Sequence, residues 1–203
     1  MIAARPGGLR LLMVLLLLAA LLLATREALV RSNELERPDF ALQFWPPSAN
    51  AAALLALQRT ASADGVVDAQ GRVLIAQALQ QAPAAGLPLA LAGLDASAQE
   101  DLARATRLME QARHRSPRLV LVRAWLINEY ARTGRYADAL GEAGPVMQLS
   151  GESRPQVFAL IAAIAARPDG AAAVKAALAA EPNWRKGYLD WRETQGLDAP
   201  PGQ

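Results

Sequence analysis

Fifteen consecutive residues, Leu11 to Thr25, carry no charge and are mostly Leu. Leu11 to Ala24 shows no polar side, unlike a helix lying on the surface of a soluble domain. Beyond Arg26 the chain changes character. Apolar stretches of 10 to 15 residues alternate with stops marked by Pro or Gly, and almost no stretch shows the strict alternation of a half-buried strand. Helices are expected near 49–60 and 72–82, 87–97 and 99–115, 118–132 and 136–149, and 155–166 and 170–180, paired in that order by the repeat described below. A last helix falls near 183–195. Asp39 and Ser97 are candidate N-caps, the second with Glu100 three residues on in capping-box order. Residues 61–71, with Asp64-Gly65 and Gln70-Gly71, form a turn-rich break. Pro145 is expected to kink its helix.

The N-terminal run reads as a signal anchor over residues 1–30. At about 1.5 Å per residue its charge-free part reaches roughly 22 Å, short of a hydrocarbon core of ~30 Å. The span lengthens if Arg10 and Arg26 snorkel and Leu9, Ala28, Leu29 and Val30 continue the helix. The competing reading is a cleaved signal peptide. No Ala-x-Ala stands between Leu15 and Val30, and Ala24-Thr25-Arg26 offers Arg where a small residue is required, which favours retention. Arg5 and Arg10 precede the run and Arg26, Arg31 and Arg37 follow it, so charge counting alone does not orient it. The short basic head favours an N-terminus inside, which in a bacterium places residues 31–196 in the periplasm.

A shorter pattern repeats along the body. Ala-x-x-x-x-Pro occurs at Ala41–Pro46, Ala78–Pro83, Ala112–Pro117 and Ala177–Pro182. The intervals from 41 to 78, 78 to 112 and 112 to 177 are 37, 34 and 65 residues. The last is nearly two periods, so a degenerate copy falls at Val146 to Gly151, where Gly replaces Pro as the stop. A small Ala lets two helices approach, and the Pro five residues later ends the helix because it has no N–H to donate.

These residues resemble tetratricopeptide (TPR) repeats, whose period is 34. Leu126, Tyr130, Gly134, Tyr136 and Ala139 stand at that family's Leu, Tyr, Gly, Tyr and Ala positions. Ala105, Ala112 and Pro117 match the second-helix Ala, Ala and Pro of the preceding copy, with Met109 in place of a large apolar residue. The pattern departs at Arg123, where Trp or Leu is usual, and at Ile127, where a small residue is usual. The resemblance covers about residues 39–195 and is specific at 105–140. It implies an all-α solenoid of helical hairpins over 31–196. The N-terminal run adds a single transmembrane helix before it, and Pro200-Pro201 mark 197–203 as a disordered tail. Trp184, Tyr188 and Trp191 share one helical face and fit a cap over the last repeat better than an aromatic ligand box.

Composition narrows the chemistry. The absence of Cys removes disulfides, thiolate zinc sites and cysteine nucleophiles, and the single histidine, His114, argues against a multi-histidine metal site. No phosphate-binding loop, nucleophile elbow or zinc-protease motif is present. Glu100-Asp101 and Glu34/Glu36 read as helix-end carboxylates. No catalytic, cofactor or metal residue is assigned, and a non-enzyme is expected. A net charge of +2 does not call for nucleic acid. The one concentration of charge runs from Leu102 to Arg135 and holds eight Arg against Glu110 and Glu129. Arg104, Arg107, Arg115, Arg118 and Arg123 are the candidate partner-binding residues, for acidic polysaccharide, lipid headgroups or an acidic protein patch. The alternative is a solvated helix face in an Arg-biased chain.

Two functions are expected. One is a membrane-tethered scaffold that holds a protein partner in the bacterial envelope. The other is an accessory to envelope polysaccharide synthesis or export, whose Arg face touches glycan, lipid or the synthase. The second follows from similarity to small anchored TPR-like proteins encoded with such machinery. The oligomeric state is left open.

Overall fold

The computed structural model describes residues 6–45 and 47–197, with side chains from Leu18 onward apart from Pro46. All regular structure among the described residues is helical. The chain divides into two compact units, residues 1–83 and 84–203.

In the first unit, α1 (Pro6–Asn33) is followed by α2 (Pro38–Phe44), α3 (Ala49–Ser62) and α4 (Ala69–Gln81). Pro38 opens α2 at a position where its missing N–H costs nothing, with Arg37 at the cap position and Asp39 in the first turn. Asp39 is therefore not the N-cap that its residue type suggested. Ser48 caps α3, accepting from the Ala51 amide at 3.2 Å while its hydroxyl donates to Glu34 Oε1 at 2.7 Å. Asp68 caps α4 by accepting from Gly71 N–H and pairs with Arg59. The Arg59 hydrogen bond, then the Gly71 amide, hold its carboxyl below the usual range. Ala51, Ala52, Ala53 and Ala56 are buried on α3, and small side chains there let it lie close to α4 with its Leu74, Ile75 and Ala78.

The second unit holds three hairpins and a closing helix. They are α5 (Gly86–Ala98) with α6 (Leu102–Arg115), α7 (Val120–Arg132) with α8 (Tyr136–Leu149), and α9 (Arg154–Ala165) with α10 (Pro168–Ala179), then α11 (Arg185–Thr194) on α9. A single 3-10 turn, Gly151–Ser153, joins the second hairpin to the third. The first helices of the hairpins start at 86, 120 and 154, steps of 34 residues. The fold is thus all-α and helical-repeat-like, compatible with a TPR-like arrangement.

At three of the four Ala-x-x-x-x-Pro copies the Ala explains where a helix ends; at Ala177–Pro182, α10 stops at Ala179 and Glu181 N–H donates to Leu178 O instead. Trp45 N–H donates to Ala41 O, Ala82 N–H to Ala78 O, and Ser116 N–H to Ala112 O; Ser150 N–H donates to Val146 O in the degenerate copy. In each case this is the last bond of the helical ladder. In the first three the next residue is proline, which has no proton to offer. Ala41, Ala78, Ala112 and Val146 are all buried, so the residue that closes the helix also packs it. After α7 the chain reverses through Gly134 at φ +79°, a left-handed turn that lets Arg135 N–H reach Tyr130 O at 2.8 Å.

One further capping expectation needs correction. Ser97 lies inside α5, and α6 is capped by Asp101, whose carboxylate accepts from the Arg104 amide at 3.0 Å. Pro145 lies inside α8, which runs through it as one element. Among the described residues no helix is long and apolar enough to cross a membrane, so the predicted transmembrane helix is not shown. Residues 1–5 and the side chains of residues 6–17 of that segment lie outside the described residues, as do residues 198–203 of the predicted tail.

Ala139 is buried on α8 and Ala137, two residues earlier, is exposed. Ala139→Leu is expected to cost about 1–3 kcal/mol by overpacking, whereas Ala137→Leu should stay within about 0.5 kcal/mol. Equal melting temperatures for the two variants would show that α8 is rotated from this register.

Candidate functional site

The Arg-rich stretch divides into two populations. On α6, Ala105, Met109 and Ala112 are buried, and Arg104, Arg107, Gln111 and Arg115 lie on the opposite side at helical spacing. Arg104, Arg107, Arg115 and Arg118 are exposed and form no ion pair among the described residues. Arg113, Arg123, Arg132 and Arg135 are engaged by carboxylates.

Arg123, the fifth candidate, turns inward. Its side chain is only 15% exposed, and its guanidinium donates to Glu142 Oε2 and to the Pro117 carbonyl at 2.7 Å. Arg113 reaches the other oxygen of the same carboxylate at 2.6 Å. Glu142 is 5% exposed on α8, so two guanidiniums from α6 and α7 meet one buried carboxylate. Burial by itself lowers the Arg113 pKa, but the hydrogen bond and charge of Glu142 outweigh it and the net shift is upward.

A second network lies on the same three helices. Tyr130 O–H donates to Glu110 at 2.8 Å, and Arg135 donates to Glu110 at 3.1 Å and to Asp138 at 2.7 Å while its guanidinium lies 4.2 Å from the Tyr130 ring centre. Burial first, then the hydrogen bond and charge of Glu110, push the Tyr130 hydroxyl up to about 12. On α7, Glu129 is held by both Nε and Nη2 of Arg132. Much of the Arg concentration therefore ties helices together, and Arg104, Arg107, Arg115 and Arg118 remain available to a partner.

A cavity of about 380 Å³ opens between α7 and α9. Ile127, Val157 and Leu160 supply its apolar wall, and Asn128, Glu152, Ser153 and Gln156 supply its polar atoms. Ile127, too large for the small residue usual at its TPR position, is buried in that wall. Nothing in the sequence alone marks Asn128 or Gln156, because they come together only when successive hairpins stack. A wider cleft of about 550 Å³, lined largely by Ala and Gly, separates α8 from α10.

The aromatic residues of α11 form a closure. Phe158 of α9 stands 5.8 Å from Tyr188 and 6.0 Å from Trp191, centre to centre, and Trp184 meets Tyr188 edge-on at 6.1 Å. The Tyr188 hydroxyl is buried without a hydrogen-bond partner among the described residues, and burial raises its pKa. His114 is exposed beside Arg113. Among the described residues no group of three His, Cys, Asp or Glu side chains comes together to hold a metal ion.

No protein-family model matches the chain, and no curated protein shows significant similarity to it. The class that the structure defines is an all-α, helical-repeat-like protein.

Proposed function

We propose that the chain is a non-enzymatic scaffold of the bacterial cell envelope. In this reading residues 1–30 anchor it in the inner membrane, and the periplasmic repeat region, 31–196, holds a partner protein. The TPR-like register of residues 105–140 supports membership of that repeat class, and the charge-free run Leu11 to Thr25 supports the anchor. The observation that carries the scaffold reading is the cavity between α7 and α9. An apolar wall flanked by amide and hydroxyl groups and the Glu152 carboxylate suits a side chain and backbone N–H groups of an extended peptide.

The four unpaired arginines favour a second reading, in which the α6 face binds an anionic glycan, lipid headgroups or an acidic synthase surface during polysaccharide synthesis or export. Two surface variants separate the readings. Asn128→Arg with Gln156→Arg fills the cavity mouth from exposed positions; Arg104→Gln, Arg107→Gln and Arg115→Gln discharge the stripe. Crosslinking and recovery from detergent-solubilised membranes should lose the specific partner with the first variant and keep it with the second. The reverse result, together with wild-type binding to acidic vesicles or anionic glycan that weakens steeply with salt, would favour the polyanion reading. A partner retained by both variants would overturn both.

A further inference from the structure

Residues 18–25 form an apolar surface on every side of α1. All eight are exposed, and Leu18, Leu21, Leu22 and Leu23 are between 51% and 69% exposed. The only polar side chain among them is Thr25, whose hydroxyl lies 2.9 Å from Leu21 O and 3.0 Å from Leu22 O, so its proton is spent on its own helix. A helix apolar all round needs an apolar surrounding.

The chain then turns back on itself. Val30 of α1, Ala41 of α2 and Ala51 of α3 form a buried cluster with Leu42 against it. This contact runs α2 back along the last turns of α1 and returns Phe44 and Trp45 to the level of Arg26. There Arg26 donates from Nε and Nη2 to Phe44 O at 3.1 and 2.8 Å, and its guanidinium carbon lies 3.7 Å from the Trp45 ring centre. Phe44 ends α2, so its carbonyl is one that a helix end leaves without an intrahelical donor. The Phe40 and Phe44 rings lie 4.8 Å apart, tilted at 50°, and Arg37 sits 4.9 Å from the Phe40 ring centre. Phe44 and Trp45 remain exposed. The first charge after the apolar run is thus satisfied by a carbonyl and an aromatic face, while two rings beside it face outward.

We infer that α2 and Trp45 form an interfacial collar, seated in the headgroup layer of a phospholipid bilayer whose hydrocarbon surrounds the apolar run of α1. The inference rests on the anchor reading proposed above. Aromatic rings and snorkelling Arg are the side chains that partition to this layer. Arg26, Arg31 and Arg37 are balanced by Glu27, Glu34, Glu36 and Asp39, so headgroup charge is not what holds the collar. Its role is positional: it sets the depth at which α1 stops and α3 begins.

The absence of native Cys makes single-site labelling direct. The full chain carrying Leu21→Cys, Gln43→Cys or Gln80→Cys, spin-labelled and reconstituted into phosphatidylcholine vesicles, reports depth through collisions with oxygen and with a water-soluble nickel chelate. Position 21 is expected to see oxygen and exclude nickel, position 80 the opposite, and position 43 to lie between. Adding Phe44→Ser and Trp45→Ser should raise nickel access at 43 several-fold and leave 21 unchanged. A label at 43 as open to nickel as one at 80, with 21 still shielded, would overturn the collar and leave the anchor standing. A label at 43 as deep as one at 21 would overturn it equally. Nickel access at 21 matching that at 80 would remove the anchor and the collar together. Depth at 43 that depends on adding phosphatidylglycerol would replace the aromatic account with an electrostatic one.

Discussion

Glu142→Ala is expected to lower the stability of the repeat region by about 3 kcal/mol, because breaking a buried ion pair leaves charge uncompensated. Here two guanidiniums share the one carboxylate, with the Arg113 and Arg123 side chains 27% and 15% exposed. Removing Glu142 leaves both cations close together in a partly dehydrated space. Arg113, the more open of the two, can swing outward and recover some hydration, which keeps the loss at the lower end of the range for fully buried pairs. A fall in melting temperature of roughly 10 °C follows for a unit of this size. The triple replacement Arg113→Met, Glu142→Leu and Arg123→Met should restore most of the stability, since it removes the desolvation cost together with the attraction. If the single variant melts like the wild type, the triad is screened by water and does not join α6, α7 and α8.

The same triad shows where reading the sequence stops. Arg113 and Arg123 stand in a window whose acids are Glu110 and Glu129, so the charge looked unopposed along the chain. Their partner lies on α8, beyond that window. The signal available was local: Glu142 falls between Ala139 and Val146 on the buried register of α8, where a charge requires a partner. By contrast, helix ends were legible, because Ala-x-x-x-x-Pro states a covalent fact about the missing N–H, and helix pairing followed from the period. Capping was less so. Ser97 and Asp101 are both competent caps four residues apart, and the left-handed backbone at Glu100, φ +62°, decides for Asp101 by carrying the chain out of α5 before α6 begins. The cavity between α7 and α9 was not legible, since its walls come from residues about one repeat apart.

Gly170→Ala should be the most damaging change that adds a single methyl group. Gly170 is buried in the first turn of α10, and a Cβ there would stand 2.1 Å from the Ile164 carbonyl oxygen and 2.9 Å from Ile164 Cγ2. That oxygen is fixed by the Arg167 amide at 3.0 Å, so it cannot move aside without opening the turn between α9 and α10. Ala favours a helix over Gly by about 1 kcal/mol. Overpacking against backbone nevertheless costs more, about 3 kcal/mol at the upper end of its usual range. Gly141→Ala provides the opposite case. Gly141 lies within α8 with nothing within 4 Å of a Cβ, so the same chemical change should stabilise by up to about 1 kcal/mol. Thermal melts of the two variants should therefore move in opposite directions, and a stabilising Gly170→Ala would mean that α10 does not start against the end of α9. The consequence reaches the cavity. Gln156, Val157 and Leu160 belong to α9, so a displaced α9–α10 hairpin shifts one wall of it. Partner recovery should then fall with Gly170→Ala even below its melting temperature, and should be unchanged with Gly141→Ala.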